Sequence, residues 1–177
     1  GIIRNITQRK KIEQEMHEAE ENFKSISKNT LDAICMVNLQ GVITYFSPSI
    51  ERIGGFKPEE LVGKKIMSVM CSESDIPELS AYFVRVVRGE SVRGLEINIL
   101  SKNGSLTPVE INGSPIIKDG KLVGAIGILR DLTERKKMEE DLRDKAQFLD
   151  AATDSIILRD LDGNIHYANE AAYKMRG

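Results

Sequence analysis

The chain has 177 residues, with 25 Lys and Arg against 27 Asp and Glu, two Cys, no Trp and 41% apolar residues. That length suits one full domain plus pieces of neighbours. A net charge of −2 provides no basic field to draw nucleic acid or an anionic membrane. The longest stretch free of polar side chains, Leu122 to Leu129, is eight residues, against the about 20 that a bilayer span needs. Cys35 and Cys71 form no C-x-x-C pair, which argues against zinc and dithiol chemistry and for a reducing cytosol.

The first sixteen residues reappear later. Gly1 to Met16 returns as Gly127 to Leu142, with eight of sixteen positions identical and the rest swapped like for like. Asp32 to Tyr45 returns as Asp154 to Tyr167. The offsets, 126 and 122, are domain-sized. We therefore expect a cut through a longer array: the tail of a preceding module and a linker-helix start at 1–15, a complete module at 16–134, a linker helix at 135–147, and the start of a following module at 148–177.

Asn5-x-x-Gln8 and Asp131-x-x-Glu134 read as capping-box helix starts. After the first, Ile12, Met16, Ala19, Phe23 and Ile26 are spaced 4, 3, 4, 3, a heptad seam. Two readings stay open: a helix lying on its own domain's sheet, or one pairing with the same helix of a second chain as a homodimer. In the second linker Met138, Leu142 and Leu149 keep the register, but Lys145 breaks it.

Residues 33–38 and 42–46 are short runs of β-formers joined at Leu39-Gln40-Gly41, a tight hairpin turn. Pro58-Glu59-Glu60 suits a first helical turn, and Gly63 its stop. Ile76, Leu79, Phe83 and Val86 or Val87 follow helical spacing up to Gly89. Residues 94–100 and 106–117 alternate as strands, with Asn103-Gly104 between them as a hairpin signal. Asp119-Gly120 then turns into Leu122–Arg130, which is apolar on both faces and should be a central, doubly covered strand. The plan is α+β: an antiparallel sheet with helices on one face, flanked by linker helices.

The residues Asp32–Asn38, Gly41–Ser49, Gly55–Gly63, Lys102–Gly104 and Gly127–Lys137 together resemble the PAS family with its C-terminal PAC segment, over about residues 20–134. The resemblance implies a five-stranded antiparallel sheet with the first and last strands central. It also implies a sensory or dimerising unit in a signalling protein, and tandem modules of this kind look most like a multi-sensor histidine kinase of a two-component system. Partners implied are neighbouring PAS modules and a downstream output domain. The sequence departs at Ser47, where many members carry Asn; Asn169 keeps that residue in the next module.

Catalytic motifs are missing: no P-loop, G-x-G-x-x-G or G-x-S-x-G occurs. His17 and His166 read as surface residues, and Cys35 as a small buried hydrophobe. Haem-binding members of the family hold iron with a helix His, but here that place offers Leu79, Ser80, Ala81 and Tyr82. Flavin photosensors of the family need a Cys soon after the Gly63 position, where Lys64, Lys65 and Ile66 stand. Candidate pocket residues are Met67, Phe83, Val87, Ile97, Ile99, Val109 and Ile111, facing either a cavity for a small apolar ligand or an ordinary packed core. Glycines 113, 124 and 127 either admit a ligand or allow close approach of another element. The expected function is a non-catalytic relay: a pocket or helix change moves the last strand and, through Asp131 and Thr133, the outgoing helix. The alternative is a ligand-free dimerisation spacer, with Ile12, Met16, Ala19 and Phe23 as the dimer helix.

Overall fold

A computed structural model describes residues 2–174, with side chains from residue 9 onward. It divides into two compact units, Gly1–Leu132 and Thr133–Gly177. The first begins with α1 (Ile2–Asn29), followed by β1 (Ala33–Asn38) and β2 (Ile43–Phe46). A helical insert follows: α2 (Ile50–Gly54), α3 (Pro58–Leu61), α4 (Ile66–Val69) and α5 (Ile76–Val86). The meander β3 (Val92–Leu100), β4 (Leu106–Lys118) and β5 (Lys121–Asp131) completes an antiparallel sheet of order β2-β1-β5-β4-β3.

The first and last strands are therefore central. Buried and half-buried residues alternate along β1, and Ala33, Cys35 and Val37 face the insert. The core lies between that sheet face and the helices, with Phe46, Ile50, Leu61 and Met70 almost fully enclosed. Double cover of β5 is not what the fold provides: Val123 and Ile128 are 39% and 41% exposed. The outward residues Ile34, Met36 and Ile126 adjoin Ile128 and keep its surroundings apolar while leaving it open to solvent.

Turn chemistry sets the register. Asn38 Oδ1 accepts the N–H groups of Gln40 and Val42 at 3.0 Å each, and Gly41 takes φ +73°. The two-residue hairpin is Asp119-Gly120, with φ 50° and 72° between the paired Lys118 and Lys121. At Asn103-Gly104 only the glycine has positive φ, and the connection is the longer loop 101–105. There Asn103 Oδ1 accepts the Ser105 N–H at 3.0 Å, and the Lys102 N–H anchors the loop on the Gly54 carbonyl at 2.8 Å.

The helix start expected at Asn5 is also corrected, because α1 is already helical at Ile2. Pairs such as Arg9–Glu13 at 3.1 Å and Glu20–Lys24 at 2.7 Å brace that helix. Its last turns dock on the sheet edge, where Phe23 meets Tyr45 with ring centroids 5.4 Å apart and Ser27 is buried.

The second unit contains α6 (Thr133–Ala151), the hairpin β6 (Ile157–Arg159) and β7 (Ile165–Ala168), and α7 (Glu170–Lys174). Among the described residues no helix is long and apolar enough to cross a membrane.

Candidate functional site

A cavity of about 70 Å³ lies between the sheet and the insert of the first unit. Its sheet wall is built by alternation: Cys35 and Val37 from β1, Ala125, Gly127 and Leu129 from β5, Ile111 and Gly113 from β4, Ile97 and Ile99 from β3. Its helical wall is Ile66, Met70, Cys71, Leu79, Tyr82 and Val86. No lining side chain is charged. One water needs about 10–15 Å³ of such volume, and drug-sized ligands use about 300–1,000 Å³. The space therefore matches a few apolar atoms.

Tyr82 supplies the main polar group. Its single hydroxyl proton is shared between the carbonyls of Val92 and Ile111, at 2.9 and 3.2 Å. Burial pushes its pKa up to about 12. Gly113 exists for this residue, because a Cβ there would stand 2.6 Å from the Tyr82 oxygen. Gly124 lets the β1 backbone approach, with a Cβ only 2.2 Å from the Val37 carbonyl oxygen. Gly127 alone of the three would accept a Cβ without a clash, its nearest neighbours being 3.8 Å or more away. Both thiols face the cavity and are held protonated: burial pushes Cys35 up strongly, and Cys71 to about 11 with help from nearby Asp75.

Of the residues singled out from the sequence, Ile97, Ile99 and Ile111 line the cavity, and Met67, Phe83, Val87 and Val109 lie outside its lining. Val109 is fully buried opposite Ile97 and Asp131. Met67 packs against the rim of the core and its sulfur accepts the Ser80 hydroxyl at 3.4 Å. Phe83 turns toward Gly41, and Val87 caps α5. The buried stripe of α5 is Leu79, Tyr82 and Val86. Tyr82 and the two cysteines are not among the residues the sequence offers for the pocket; the alternation of β1 from Ala33 is the available signal for Cys35.

The two ends of the module are tied down. Asp131 is the last residue of β5, opposite Val109, and Leu132 stands between it and Thr133, the first residue of α6. Asp131 is thus one place short of the position immediately before the helix. Leu132 is 3% exposed, and its N–H donates to the Pro108 carbonyl at 2.9 Å. At the incoming end Ser47 Oγ accepts the Ile34 N–H at 2.8 Å, Ser49 Oγ donates to the Thr30 carbonyl at 2.7 Å, and Arg52 donates to the Leu31 carbonyl. In the second unit Asn169 does this work alone: it accepts from Ile156 N at 2.9 Å and donates to the carbonyls of Ala152 and Asp154 at 3.2 and 2.9 Å. The linker seam is open to solvent, with Ile12 51%, Met16 68% and Ile26 66% exposed.

Comparison with known proteins gives a consistent family. The family model described as PAS domain matches residues 31–134, and a second PAS domain model matches 145–177. Sporulation kinase E of Bacillus subtilis is 28% identical over 143 residues, which cover 80% of this chain and 18% of that protein. Sensor protein FixL of Bradyrhizobium diazoefficiens is 24% identical over 148 residues, 81% of this chain and 29% of that one. The chain thus spans less than a third of either relative. The crystal structure of the PAS domain of a Colwellia psychrerythraea protein matches with TM-score 0.58 and 26% identity, over 66% of this chain and 98% of that one.

Proposed function

The chain belongs to the PAS domain family, and on that premise we propose that residues 16–134 form a sensory relay module of a larger signalling protein. The module itself performs no chemistry; output belongs to other segments of the parent, as the sporulation kinase and the FixL sensor suggest by their names. Residues 135–147 are the outgoing linker, and 148–177 begin the next module. A reducing, cytoplasmic setting suits two free thiols.

The observation that carries this reading is the path of β5. Ala125, Gly127 and Leu129 wall the cavity, the strand continues to Asp131, and one buried residue later α6 begins. A small apolar ligand that displaces the cavity wall therefore displaces the strand on which the helix start depends. A coupling of about 1–3 kcal/mol suffices to bias two arrangements of the outgoing helix. Xenon is a suitable probe of such a cavity. With xenon bound, as verified by shifts of the lining methyl groups, amide exchange at residues 129–134 should change. Unaltered exchange there under saturating xenon would end the relay account.

The exposed seam of α1 favours a second role, self-association. Ile12 and Met16 are uncovered although they continue the heptad spacing. Sedimentation of Ile12→Glu with Met16→Glu tests it without touching Phe23, which is packed on Tyr45. A weakened dimer is expected, and an unchanged monomer–dimer balance removes the seam from consideration.

A further inference from the structure

We propose that Arg130 is an electrostatic latch joining the two ends of the module, closed onto Asp32 and opening toward Glu110. This rests on the relay reading and adds its regulation. Asp32 lies between the end of α1 at Asn29 and the start of β1 at Ala33, and Arg130 is the penultimate residue of β5. The antiparallel register pairs Ala33 with Leu129, so its continuation sets Asp32 opposite Arg130. On the other side β4 sets Glu110 opposite Arg130. One guanidinium thus lies in a row between two carboxylates carried by its two neighbouring strands.

The row is not symmetric. Arg130 gives both arms of its fork to Asp32, with Nε 3.3 Å from Oδ1 and Nη2 2.9 Å from Oδ2. Glu110 meanwhile accepts the Asn112 amide at 2.8 Å. Asp32 is the more enclosed acid, its side chain 22% exposed against 61% for Arg130. The fork geometry is specific and the pair is solvated, so the latch holds weakly and can change partner. Closed, it fastens the short segment between α1 and β1 to the strand end that leads to α6. Turned to Glu110, it leaves β1 and ties β5 to β4 alone. A pull on the incoming helix is thereby felt at the outgoing one without any change in the core.

Two amides report on the two ends. The Thr30 N–H donates to the Ile26 carbonyl at 3.0 Å, and the Leu132 N–H to the Pro108 carbonyl at 2.9 Å. In the full chain, Asp32→Asn and Arg130→Gln should each speed exchange of both reporters by about two- to fivefold, the range an exposed pair allows. The double variant should exchange no faster than either single one, the mark of a shared interaction. Glu110→Gln, which removes the competing acceptor, should slow both reporters. At 1 M salt, where screening acts within about 3 Å, the native chain should approach the double variant. Effects confined to the substituted end, additive effects, or faster exchange with Glu110→Gln would each overturn the latch. No cavity probe is used, so a failed latch leaves the xenon response standing, and a failed xenon response leaves this test readable.

Discussion

Three glycines in one sheet are chemically identical and structurally unlike. None of residues 113, 124 and 127 has positive φ, so the backbone tolerates a side chain and only the neighbours decide. Gly113→Ala would drive its Cβ into the Tyr82 ring, 2.6 Å from the oxygen and 2.9 Å from Cε1. Overpacking of that kind costs about 1–3 kcal/mol. Gly124→Ala meets the Val37 backbone at 2.2 Å, which cannot swing aside, and should cost at least as much. Gly127→Ala meets nothing closer than 3.8 Å and removes unfolded-state freedom, a gain of about 0.4–1 kcal/mol. Urea midpoints of the three variants test this order, and Tyr82→Phe should recover part of the Gly113→Ala loss. Equal losses at all three would mean that strand glycines here serve flexibility rather than fit. The sequence left admission of a ligand and close approach both open, because glycine carries no sign of which neighbour comes near. Ser47 is a similar case. Its departure from Asn was visible, but not that Ser49 takes the Thr30 carbonyl, whose equivalent Ala152 is served by Asn169 in the second unit, or that Arg52 takes the neighbouring Leu31 carbonyl.

Elements are joined by side chains whose role depends on what lies far away in sequence. Asp75 opens α5, and its Oδ2 accepts the Asn98 N–H of β3 at 2.9 Å and the Ser72 hydroxyl at 2.8 Å. The strand N–H and then the hydroxyl hold this carboxyl below its ordinary value. A depressed native pKa means that the stabilisation is complete above the unfolded value of about 3.9 and is lost as pH falls through the lower native one. Asp75→Asn should cost about 1–2 kcal/mol near neutrality, as the charged acceptor is lost. The native chain should also lose stability more steeply than this variant below about pH 4. Parallel acid melts of the two proteins would show that Asp75 is not a clamp. The hairpin and meander plan was legible because period-2 alternation and turn residues are local signals. The phase of α5 was legible at Leu79 and Val86, which are buried, but Tyr82 was missing from the expected stripe. It is 8% exposed since Val92 and Ile111 offer its hydroxyl carbonyls. The Asn103-Gly104 hairpin was legible too, but not the docking of Lys102 on the Gly54 carbonyl that anchors its loop.

At the scale of the whole molecule the relay stands or falls on stiffness at one point. The module-length repeat, Gly127 to Leu142 after Gly1 to Met16, marks the stretch where the proposed module meets its proposed linker. What the repeat could not convey is how tightly that point is held: Leu129 and Leu132 are each 3% exposed, and Leu132 is bonded to Pro108. The proposed relay requires that this single pinned residue pass displacement from strand to helix, which a flexible spacer would absorb. Two glycines inserted between Leu132 and Thr133 add rotatable backbone and bury nothing, and surface changes of this type usually alter stability by no more than about 0.5 kcal/mol. The core and its cavity should therefore survive, with the same urea midpoint and the same xenon-dependent shifts at Ala125 and Leu129. The response of α6 should not. Exchange at residues 133–139 should become insensitive to xenon, while that at 125–131 stays sensitive. If the α6 amides still follow the probe across the glycines, the signal reaches them by another route and β5 is not the lever.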